Sequence, residues 1–238
     1  MISSIFNTIL YQPLFNLLLF IYQTVSFHDL GIAIIILTIL IRLVLYPIFY
    51  KGAKDQAIMQ RIAPKLKEIQ DKHKHDKEKQ VEATLALYKE HKVNPFSSLL
   101  LLLVQLPILI ALFKVFSTGI KGVSGLNFLS LGFINLISTN MVIVAVAAIA
   151  QYWQSKLTIV KSSKSAKNLT PTERIGRQMM FVGPLLTIII LVRLPSALGL
   201  YWLTTSIFSA IQQIIINKKL NLRKEIKEEE KKIEHGKA

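Results

Sequence analysis

Apolar runs that approach the ~20 residues needed to cross a bilayer recur along this chain. Five segments have that character: 31–50, 96–117, 138–157, 178–193 and 196–217. In hydrocarbon every backbone N–H and C=O must be paired within the segment, so runs of this length fold as helices. The chain is therefore expected to be an all-α integral membrane protein built on a five-helix transmembrane bundle. The last two spans, joined by a few residues around Pro195, form a tight hairpin.

The charges set the orientation. The chain has 238 residues and a net charge of +15. Of its 29 Lys and Arg, 25 fall in three stretches: 51–95, 154–177 and the tail after Asn217. Cytoplasmic loops accumulate Lys and Arg. Alternation over five spans then places the N-terminus outside and the C-terminus in the cytoplasm. Residues 1–30 carry no Lys or Arg, as an outside segment should.

Residues 1–30 lack the basic start and small-residue cleavage site of a signal peptide. Ser4, Thr8, Gln12 and Asn16 recur every fourth residue and give the segment a polar stripe. This favours an amphipathic helix in the outer interface over a sixth span.

Residues 51–95 form the main element between spans. Ile58, Ile62, Leu66 and Ile69 repeat at helical spacing, as do Val81, Leu85 and Tyr88, on either side of the charged DKHKHDKEK. The pattern predicts a cytoplasmic hairpin of two amphipathic helices, with Pro64 starting or kinking one of them. Residues 158–177 read as a cytoplasmic loop, flexible over 161–172. Residues 218–238 read as a basic tail that forms a solvated, fraying helix.

The chain has no cysteine, hence no disulfide and no thiolate metal site. His73 and His75 lack a placed third ligand, and neither a phosphate-binding glycine loop nor a hydrolase signature is present. No cofactor, metal or DNA partner is expected, and no enzymatic activity.

Arg42 is the exception inside the spans. An arginine in the hydrocarbon layer costs several kcal/mol, and none of the 14 Asp and Glu lies within a span. Arg42 must be hydrated, held by dipoles, or able to meet a partner that arrives. Snorkelling to the cytoplasmic edge is the plain alternative, but Tyr50 lies about 12 Å of helix away. Thr38, Arg42 and Tyr46 share one helix face. Tyr201, Thr205, Ser209 and Gln212 form a second polar stripe, and Gln105 and Gln151 sit inside other spans. Such residues can simply hold helices together. Several stripes around an unpaired arginine point instead to a shared water-filled groove.

Three stretches carry a family resemblance. YQPLFNLLLFIYQTV is followed by IIILTILIRLVLYPI. LYKEHKVNPF leads into LLVQLPILIALF, and LPSALGLYWLTTSIFSAIQQ closes the series. In this order they resemble the YidC family of membrane protein insertases, in its short form without the large external domain. The chain departs from the family pattern at Ser97 and Ser98, where small glycine-rich steps are common, and at Arg193 in the outer turn.

The resemblance implies a hydrophilic groove closed on the outside. Arg42 would receive polar parts of an incoming protein, with Gln105, Tyr201 and Trp202 as further contacts. It implies residence in the bacterial plasma (inner) membrane, nascent membrane proteins and the lipid bilayer as partners, and action alone or with the Sec translocon. A ribosome contact would fall on the cytoplasmic loops and basic tail. Two other readings remain open on the residues alone: a small transporter or channel subunit using Arg42 as an anion site, and a structural assembly factor.

Overall fold

The computed structural model describes residues 2–159 and 171–236. The expected flexible loop at 161–172 lies outside these residues, except that Pro171 and Thr172 already belong to a helix.

The N-terminal helix runs as α1 (Ile2–Phe6), a π-helical turn at Asn7–Tyr11, and α2 (Gln12–Thr24). A turn with left-handed Phe27 and His28 leads to Asp29, which caps α3 (Leu30–Val44) by accepting from the Ile32 N–H at 3.0 Å. The helix α4 (Tyr46–Lys72) follows, then α5 (Lys77–Glu90), capped by Asp76. The helix α6 (Ser97–Lys114) passes into a π turn at Val115–Gly119. A short hairpin of two-residue strands pairs β1 (Leu129–Ser130) with β2 (Ile134–Asn135). Then come α7 (Met141–Thr158), capped by Asn140, α8 (Pro171–Leu191) and α9 (Ser196–Gly236).

By length and composition, 4–24, 99–122 and 196–221 are each fit to cross a membrane, and α3 with α4 adds a fourth, broken span. The α8 segment Met180–Leu191 is a shorter apolar helix. On α6, Leu99, Leu100, Leu102, Leu103, Leu106 and Ile110 all lie exposed. Apolar surface on that scale needs lipid around it. The chain is thus an all-helical, multi-pass membrane protein.

The first span differs from its sequence reading. It breaks at Leu45, and α4 turns by 71°. Pro47 explains this: it has no N–H to give the Leu43 carbonyl one turn back, and its ring would clash with that carbonyl if the helix ran straight on. From there α4 runs unbroken through Pro64 into the hairpin, so Pro64 neither starts nor ends a helix. The hairpin arms close over Ile62, Leu87 and Val93.

The first arm is also tied to the bundle. Gly52 faces Leu101 so closely that a Cβ would fall 2.6 Å from its Cγ. Asp55, buried, accepts a hydrogen bond from Ser97. Arg61 donates to Asn221 at 2.7 Å.

The main core joins α2, α3, α6 and α9 through Leu18, Leu30, Ile34, Leu37, Leu112 and Leu198. A smaller cluster of Val144, Ala147 and Leu191 packs α7 against α8 and α9. Ser4, Thr8, Gln12 and Asn16 all lie exposed on the N-terminal helix. The polar contacts of that helix go to the segment after the apolar stretch of α6. Lys114 donates to Asn7 at 2.8 Å, Tyr11 faces Gly119, and the Tyr22 hydroxyl accepts from the Asn127 N–H at 3.0 Å.

Candidate functional site

The break at Leu45 leaves Arg42 in the last turn of α3. The final carbonyls of a helix have no helical partners and carry a partial negative charge. A cation there is stabilised without a carboxylate. The bend also brings Phe49 beneath the side chain, with the Arg42 Cζ 4.3 Å from the ring centroid. A guanidinium over an aromatic face is attracted by the ring quadrupole, by about 0.5–2 kcal/mol depending on desolvation. Arg42 is only 6% exposed. Among the described residues no Asp or Glu forms an ion pair with it.

Across the bundle, α9 contributes Tyr201, 3% exposed and close enough to interact electrostatically with Arg42. Gln105 of α6 donates its amide to the Tyr201 hydroxyl. Thr205 sits one turn along from Tyr201; its buried hydroxyl lies beside the phenol but makes no well-formed hydrogen bond. Gln212, two turns further, has a buried amide nitrogen with no partner among the described residues. Unpaired buried polar atoms are costly, each on the order of 1–3 kcal/mol. Two such atoms on the α9 stripe that carries Tyr201, with a guanidinium that no described carboxylate pairs, leave hydrogen-bonding capacity that a polar guest would meet.

The structure separates the sequence candidates. Arg42, Gln105, Tyr201 and Thr205 come together. Tyr46 lies a turn beyond Arg42, stacked on Tyr50 at 5.6 Å and edge-on to Phe208 at 6.4 Å. Ser209 is half-buried next to Phe208 in sequence. Thr38 is buried but turns its hydroxyl back to the Ile34 carbonyl at 2.6 Å, so it offers the site no free donor. Gln151 accepts from Ser206 at 2.9 Å, joining α7 to α9. Trp202 packs on the Val144, Ala147 and Leu191 cluster. Gln151 and Trp202 therefore act between α7, α8 and α9.

Phe49, which completes the Arg42 environment, escapes sequence reasoning, because the bend at Leu45 brings it to Arg42 from a different helix. Among the described residues no three His, Cys, Asp or Glu converge to hold a metal.

A multi-pass helical membrane protein with a buried, carboxylate-free arginine facing polar groups of two other helices is the class that fold and site define. The family model described as 60Kd inner membrane protein matches residues 20–225, and the chain belongs to this family. Its relatives include the membrane protein insertase YidC of Fusobacterium nucleatum, 37% identical over 214 residues, which are 88% of this chain and 98% of that protein. The membrane protein insertase YidC of Helicobacter pylori is 32% identical over 221 residues, 93% of this chain and 38% of that protein. That of Wolinella succinogenes is 32% identical over 219 residues, 92% of this chain and 39% of that protein. The chain thus spans less than two fifths of the length of the Helicobacter and Wolinella relatives.

Proposed function

We propose that this protein is a membrane protein insertase, which receives polar parts of nascent membrane proteins around Arg42 and releases their apolar helices into lipid. The observation that carries the reading is the buried Arg42 guanidinium without a carboxylate partner among the described residues. The relatives named as insertases support it.

The mechanism is partition and involves no covalent step. A polar pocket partway through the bilayer shortens the apolar distance a hydrophilic segment must cross. Arg42 gives that segment charge-assisted hydrogen bonds. The apolar helix of the guest then moves into lipid, favoured by roughly 25 cal/mol for each Å² of apolar surface removed from water. The working groove consists of Arg42, Gln105, Tyr201 and Thr205, with Tyr46 and Ser209 along its edge.

The proposal includes the bacterial inner membrane as its location, the 51–95 hairpin and the basic tail in the cytoplasm, and residues 1–30 in the outer interface. The exposed polar stripe of the N-terminal helix supports that last placement. The Sec translocon and the ribosome are proposed partners on the cytoplasmic side.

A photo-crosslinker at position 42, during synthesis of a single-span membrane protein, tests the reading. Crosslinks to the nascent chain that disappear on its release are expected. A probe that crosslinks only to lipid, with insertion proceeding normally, would refute it. Cysteines placed one at a time in this cysteine-free chain test the topology: residue 75 should label from the cytoplasm alone.

A further inference from the structure

Where α4 and α9 emerge from the apolar layer, Tyr50, Lys54, Ile216, Lys219 and Leu220 enclose a recess of about 30 Å³. Two lysines, Lys54 and Lys219, line it from different helices. Lys219 also lies over the Tyr50 ring, 5.5 Å from its centroid. The floor is apolar, with Ile216 only 1% exposed. The nearest acid in sequence, Asp55, is buried and turned to Ser97. Further along the same seam Arg61 bonds the neutral Asn221. Among the described residues neither lysine forms an ion pair. Two like charges at one recess repel each other, and an anion between them offsets this.

We propose that this recess binds the phosphodiester of an anionic phospholipid. About 30 Å³ of such space holds roughly two water-sized groups, which matches the two non-bridging oxygens of a phosphodiester. The depth fits as well. Tyr50 ends the apolar part of α4, and Lys219 lies in the last turn of the candidate span ending at Asn221. Headgroup phosphates lie at that level. The apolar floor continues toward hydrocarbon, where the glycerol and acyl chains of a lipid would run and a free anion would gain nothing.

The test uses the full chain reconstituted in mixed phosphatidylglycerol and phosphatidylcholine, extracted into mild detergent, with co-purifying lipid counted by native mass spectrometry. Selective retention of phosphatidylglycerol is expected. Lys54→Gln and Lys219→Gln should each lower it roughly fivefold, the effect of one basic residue at an anionic surface. Lys219→Arg should keep it, and Lys121→Gln, on the loop after α6, should leave it unchanged. Thermal unfolding of each variant separates lost binding from lost fold, and Lys219→Arg reports on the site even where a Gln variant is unstable. Equal retention of the two lipids, or full retention by the double Gln variant, would overturn the proposal. So would displacement of the lipid by millimolar inorganic phosphate, which would mark a free-anion site, or by single-stranded RNA.

Discussion

The Gln105 amide donates to the Tyr201 hydroxyl across the seam between α6 and α9, beside the Arg42 guanidinium. Two spans far apart in sequence are thus joined by one polar contact at the site. Tyr201→Phe strands the Gln105 amide in a part-buried position. It should lower stability by about 1–3 kcal/mol, the cost of one unpaired buried polar group. Gln105→Leu should cost at least as much, because it removes the donor and leaves the Tyr201 hydroxyl, 3% exposed, without its partner. Thermal unfolding in detergent would rank the two; the reverse order would mean that the bond is not what holds the seam.

Pro47 places Arg42 by ending α3. Pro47→Ala restores an N–H donor and lets the helix continue, which removes free carbonyls from the Arg42 end of α3 and moves Phe49 away. Insertion should fall while thermal stability holds or rises slightly, since the added N–H can pair and Pro47 already sits in the first turn of α4, where proline is tolerated. Activity and stability falling together would indicate that the bend serves packing alone.

The 51–95 hairpin is pinned by Asp55 and Ser97. Ser97→Ala leaves a buried carboxylate without its donor and should destabilise by about 1–3 kcal/mol. The double change with Asp55→Ala should recover part of that loss, because no charge then remains buried. A double-mutant cycle by chemical denaturation gives the pairwise energy, and an additive cycle would show that the two side chains do not interact.

Asp29 makes the opposite end of α3 pH-sensitive. Desolvation raises its pKa, but hydrogen bonds from the Leu131, Ile32 and Gly31 N–H groups and the Ser130 hydroxyl outweigh this, and the carboxyl stays below the ordinary 3.8. The folded state therefore gains stability from the carboxylate that is fully present above 3.8 and is lost as pH falls through the lower folded value. Asp29→Asn should flatten the acid limb of a stability profile below pH 4. An unchanged limb would assign the acid sensitivity to other groups.

Much of this architecture is legible in the sequence because membrane helices announce themselves by apolar length and flanking charge. Arg42 is legible for the same reason: a charge has no bland role at that depth. The partners of polar side chains are less so. Periodicity places Gln151 and Trp202 on faces of their own helices, but the rotation of α7 and α9 decides that Gln151 meets Ser206 and Trp202 meets Val144. Thr38 looks like part of the polar stripe, yet a threonine in a helix can satisfy its hydroxyl on its own backbone, as it does at Ile34. The α4 bend escaped because Pro47 and Pro64 look equivalent in sequence, while only Pro47 breaks a helix. Asp55 escaped because an acid among the lysines of a charged hairpin reads as solvated until Ser97 closes over it.

The central claim is that Arg42 is a working charge. Arg42→Leu and Arg42→Lys, measured side by side for insertion of a substrate with an acidic translocated segment and for thermal stability, test it most directly. Arg42→Lys should retain much of the insertion, because a groove charge serves without bidentate geometry. Arg42→Leu should lose insertion while the fold stays intact or gains stability, since arginine in the hydrocarbon layer costs about 2.5–3.5 kcal/mol on insertion scales. An Arg42→Leu protein that unfolds, or one that inserts as well as the parent, would contradict the account.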